Sequence, residues 1–98
     1  MKLYKDENLT QETNDLDLGI VSAGNSKDFI FYLYNDVKAE LTELSFTLTN
    51  SEVKVIEAPK ILQFGEKGIL KIRWTPSITL KQGLKTDLVI NGYELYGG

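Results

Sequence analysis

The chain has 98 residues, 42% of them apolar and 26% charged, with a formal net charge of −3. That is enough for one domain with one core and too little for two, in a composition typical of soluble globular chains. The 11 basic residues are spread along the chain and form no cluster for nucleic acid or an anionic membrane surface, and no apolar run approaches the roughly 18 residues that span a bilayer.

Residues 1–15 are polar and lack a sustained period. They read as an extended arm or as an edge strand near residues 2–5. A solvated terminus and an arm docked on a neighbouring subunit both remain open. No apolar h-region follows Met1, so no secretory signal is visible.

From Leu16 the period becomes two. Leu16, Leu18 and Ile20 alternate with Asp17 and Gly19, and the turn residues Ser22-Ala23-Gly24-Asn25-Ser26 follow. Phe29, Phe31 and Leu33 alternate with Ile30, Tyr32 and Tyr34. Leu44, Phe46 and Leu48 alternate with Ser45, Thr47 and Thr49. Val53 and Val55 open a strand that Ala58-Pro59 interrupts, because proline cannot donate to a ladder. Ile61-Leu62-Gln63-Phe64 is predicted as a short strand, with Gly65-Glu66-Lys67-Gly68 as a hairpin connection. Leu70, Ile72 and Trp74 alternate with Lys71, Arg73 and Thr75. After a longer connection at residues 76–83, Leu84, Thr86, Leu88 and Ile90 point one way. Asn91-Gly92 accommodates the positive φ angles of a type I′ turn and so predicts a C-terminal β-hairpin with residues 93–96. The expected fold is all-β: an immunoglobulin-like antiparallel sandwich of about seven or eight strands, with residues 16–98 as the sandwich domain.

Several short segments carry a family pattern. Leu16-Asp17-Leu18-Gly19-Ile20-Val21-Ser22-Ala23-Gly24 opens it, and Phe29-Ile30-Phe31-Tyr32-Leu33-Tyr34-Asn35 is a strand ending in Asn. Leu62-Gln63-Phe64-Gly65, Ile72-Arg73-Trp74-Thr75-Pro76 and Gly83-Leu84 follow in order. Together they resemble the ASH-like domains, relatives of the major sperm protein fold, over residues 16–90. The departures are Leu18 where phenylalanine is usual, Asp36 after the Asn, and the added segment at residues 93–96. The resemblance implies a seven-stranded sandwich that mediates binding and carries no catalytic residues.

The sequence contains neither His nor Cys. Ser-His-acid and Cys-His mechanisms and the usual zinc sites therefore lack their groups, and no Gly-rich phosphate loop is present. Asp15 and Asp17 share a strand face and with Asn14 could offer oxygen ligands to calcium; a solvated edge is the competing reading. No cofactor, metal or catalytic residue is assigned, and the chain is not expected to be an enzyme. Trp74, in phase with Leu70 and Ile72, belongs to the core, where its indole N–H needs a partner. The interaction candidates are Tyr32 and Tyr34, opposite in phase to the core residues, and Tyr93 and Tyr96 near the C-terminus. Partial burial of these tyrosines competes with protein contact or sugar stacking.

The expected function is a non-catalytic structural or assembly module acting on protein partners, by self-assembly or on a repeating lattice. A phage virion accessory, as capsid decoration or tail-associated subunit, is its particular form. A carbohydrate- or peptide-binding module is the alternative. The expected location is the virion if phage-encoded and otherwise the cytoplasm.

Overall fold

The computed structural model describes residues 1–19, 21–77 and 84–96. These form seven strands and no helix: β1 (Lys2–Tyr4), β2 (Asp15–Gly19), β3 (Lys27–Tyr34), β4 (Glu40–Leu48), β5 (Val53–Glu57), β6 (Lys67–Trp74) and β7 (Leu84–Leu95). One sheet has the order β1-β3-β6-β5 and the other β2-β7-β4. All described pairings are antiparallel. The inner faces of both sheets share one core, so the architecture is a β-sandwich.

The alternation predicted for the strands decides which side chains enter that core. Phe31 and Leu33 from β3, Leu70, Ile72 and Trp74 from β6, and Leu16 and Leu18 from β2 are buried together. Leu44, Phe46, Leu48, Leu88 and Ile90 pack against them from β4 and β7, each only partly buried. The indole Nε1 of Trp74 is buried beside the Glu52 carboxylate without closing a hydrogen bond. Glu52 instead accepts from the backbone N–H and Oγ of Ser77.

Asn35 is the buried polar exception. Its Nδ2 donates to the carbonyls of Ala39 at 2.8 Å and Leu62 at 3.0 Å, and its Oδ1 accepts from the Val37 N–H. Strand β3, the loop after it and the Leu62 segment are thus tied by one amide, in the manner of an Asx turn. Gly19, with φ of 63°, sits where β2 slips register against β7; that left-handed conformation favours glycine.

Residues 1–15 fold onto their own domain. β1 pairs with β3 as the edge of the four-stranded sheet, and the Met1 amino group lies 3.0 Å from Asp36. The Asp6 carboxylate accepts from the N–H groups of Thr10 and Gln11, closing a loop that returns to the strand through a Tyr4–Glu12 bridge.

Two predicted elements differ. Asn91-Gly92 makes no turn: β7 runs through it, pairing Ser45 with Asn91 and Thr42 with Tyr93, and the C-terminal hairpin does not form. Neither residue has a positive φ. The glycine is needed for close approach instead. A Cβ at Gly92 would lie 2.7 Å from Leu44 Cδ2 and 3.0 Å from the Thr42 carbonyl oxygen, where β4 bulges through Glu43 with φ of 51°. The Ile61-Leu62-Gln63-Phe64 segment is not a strand either. Only Leu62 bridges, through reciprocal bonds with Leu41, and only Leu62 of the four is buried. The predicted positions Ile20 and Gly83, and most of the connection at residues 76–83, lie outside the described residues.

Candidate functional site: surface patches and an open strand edge

The four candidate tyrosines lie on opposite sheets. Tyr32 and Tyr34 are half-buried on the outer face of the four-stranded sheet. The register sets Tyr4, Tyr32 and Ile69 in one row across β1, β3 and β6. The Lys67 ammonium is 6.0 Å from the Tyr32 ring centroid. Ile30 and Ile69 are exposed on the same face. Tyr93 and Tyr96 are about two-thirds exposed at the far end of β7 (65% and 66%), and the Tyr96 hydroxyl donates to Glu94.

Two residues outside the sequence candidates join Tyr96. Phe64 and Leu95, each 55% exposed, line with it an open groove of about 440 Å³, whose remaining lining is Lys38, Ala39, Glu40 and Gln63. Phe64 is brought there by the turn at Gly65, and Leu95 by its pairing with Glu40. Both are long-range placements.

The outer faces differ in charge. Alternation and register put Lys2, Lys54, Lys67, Lys71 and Arg73 on the four-stranded face, against Asp28 and Glu57. Arg73 donates to both carboxylate oxygens of Asp28, at 2.7 and 3.1 Å, and this contact holds Asp28 below the ordinary carboxylate value. By the same register the three-stranded face carries Asp15, Asp17, Asp87 and Glu40, with one basic position, Lys85, opposite Asp17. Asp15 and Asp87 stand directly opposite each other on neighbouring strands, a destabilising arrangement of like charges. Among the described residues no three His, Cys, Asp or Glu side chains converge as metal ligands.

A third feature is an unfinished edge. Strand β2 covers β7 only from Leu84 to Asp87. Just before Asp15 the chain leaves for the other sheet, where Thr13 N–H donates to the Leu3 carbonyl and Glu12 bridges Tyr4. No described strand flanks residues 88–95 of β7 on that side. Thr49 N–H donates to the Asp87 carbonyl on the β4 side, so alternation turns the N–H and C=O groups of Leu88, Ile90, Gly92 and Glu94 to the open side. Beneath that edge lie two hollows of about 250 and 160 Å³, which meet at Met1 and Ile90. Sequence reasoning missed this edge because it depends on where residues 12–14 change sheets, and no local pattern marks that crossing.

These features define an all-β sandwich with exposed apolar patches at its surface. Comparison with known protein families, curated proteins and solved structures found no match.

Proposed function

We propose that this chain is a non-catalytic assembly module that works through protein–protein contacts. The observation that carries the reading is the groove at the end of β7. Phe64, Leu95 and Tyr96 are each more than half exposed around it, with Tyr93 on the same strand. Clustered aromatic and aliphatic side chains in a groove are the usual anchors of a protein contact. The absence of His and Cys from the sequence supports the non-catalytic part.

The narrower form of the proposal is an immunoglobulin-like, ASH-like module serving as a virion accessory, on capsid or tail. It rests on the order of the sequence motifs that resemble that family. Sedimentation of clarified native lysate, with this chain followed by mass spectrometry, tests it. The expected result is pelleting with megadalton particles at fixed stoichiometry, lost in a Phe64→Ser/Leu95→Ser variant. A chain that stays in the light fractions overturns the lattice role. The exposure of Tyr93 and Tyr96 favours a second reading, a carbohydrate-binding module that stacks sugar rings. Glycan binding abolished by Tyr93→Ala and Tyr96→Ala would select it over the first.

A further inference from the structure

We infer that the open edge of β7 is a strand-acceptor site for an extended segment of a partner protein, one with alternate apolar residues and lysine or arginine at its ends. The inference rests on the protein-contact reading and names the chemistry of the partner.

Three observations fix that chemistry. The first is the backbone row. Leu88, Ile90, Gly92 and Glu94 offer donors and acceptors at strand spacing, and another extended backbone is what matches such a row. The second is the floor. Leu88, Ile90 and Leu44 are core side chains left only partly covered, and Met1 lies between the two hollows. A strand laid along the edge sends every second side chain toward this floor, which calls for apolar residues at those positions. The third is charge. Glu12 and Glu94 line the hollows, and the Asp15–Asp87 pair stands where β2 leaves the edge. Against them, Lys2 lines one hollow, and the Met1 amino group is engaged by Asp36. Cations at the ends of the incoming segment would meet these carboxylates and relieve the repulsion between Asp15 and Asp87.

The test is an NMR titration of the isotope-labelled full chain with a synthetic peptide of about eight residues, the length that follows residues 88–95 at strand spacing. In it Val, Ile or Leu alternates with Thr, and Lys stands at both ends. The expected result is hydrogen exchange slowed about tenfold or more at the amides of Leu88, Ile90, Gly92 and Glu94. The Lys-ended peptide should bind about tenfold tighter than one ended by Glu. The exposed pair Glu12→Lys/Glu94→Lys should reverse that preference. Equal binding of a shuffled peptide without alternation overturns the inference, as does slowing at other amides in place of these four. Protection of the same four amides without peptide, in a concentration-dependent dimer, assigns the edge to a second copy and also overturns it. Failure here is distinct from failure of the assembly reading: a chain that still pellets with particles while these amides stay unprotected retains that reading and loses this site.

Discussion

Asn35 does with one side chain what a short strand would otherwise do. It satisfies two carbonyls and one N–H at a place where β3 ends and no regular ladder reaches. Replacing it leaves those groups buried and unpaired. Asn35→Ala is therefore expected to lower stability by about 2–4 kcal/mol, measured by urea unfolding. Trp74, equally buried, packs in the core with its indole N–H beside the Glu52 carboxylate. The carboxylates set the pH response. Hydrogen bonds from Thr10, Arg73, the Met1 amino group and Ser77 hold Asp6, Asp28, Asp36 and Glu52, respectively, below their ordinary values. A carboxylate with a lower pKa folded than unfolded stabilises the fold above the unfolded value, and that share is lost as pH falls through the folded value. The urea midpoint should thus decline below about pH 4, where such groups protonate. Asp28→Asn should flatten part of that decline. A midpoint unchanged between neutral pH and pH 2 would contradict the assignment.

At the scale of elements, period-two alternation placed the core residues of β2, β3 and β6 on the correct face, because in a strand that pattern is the burial pattern. It failed where a long-range partner outweighed the local signal. Asn91-Gly92 has the composition of a tight turn, yet β4 supplies a ladder partner on both sides of it, and the bulge at Glu43 and Leu44 uses the missing side chain. Gly92→Ala is expected to destabilise by about 1–3 kcal/mol through overpacking against Leu44 and the Thr42 carbonyl. Thermal unfolding checks this, and Gly92→Ala/Leu44→Ala should recover part of the loss. The candidate site was legible in the same measure. Tyr93 and Tyr96, for which the sequence left partial burial open, are exposed, although the hairpin expected beside them does not form. Tyr32 and Tyr34 sit opposite the core as their phase requires. Phe64 was absorbed into a predicted strand, because its neighbours Leu95 and Tyr96 are remote in sequence. The Asp6 loop had a local signal in the spacing of Asp6 and Thr10, but a polar run without a period conceals it.

Across the whole molecule, β7 is the central strand of the three-stranded sheet. Its first four residues hold β2 and its last eight hold β4, and it carries the open edge along the same stretch as the β4 pairing. The two outer faces have opposite sign although the chain as a whole is negative. The sandwich is thus polarised from one outer face to the other. That has a bearing on any measurement made with the protein attached to a solid support. A carboxylated sensor surface attracts the lysine-bearing face and hides Tyr32 and Tyr34, while leaving Tyr93 free to meet a ligand in the flow. An amine-coated surface turns the molecule over. The chemistry of immobilisation therefore selects which side of this protein is interrogated, and two supports of opposite charge would report on two different binding surfaces.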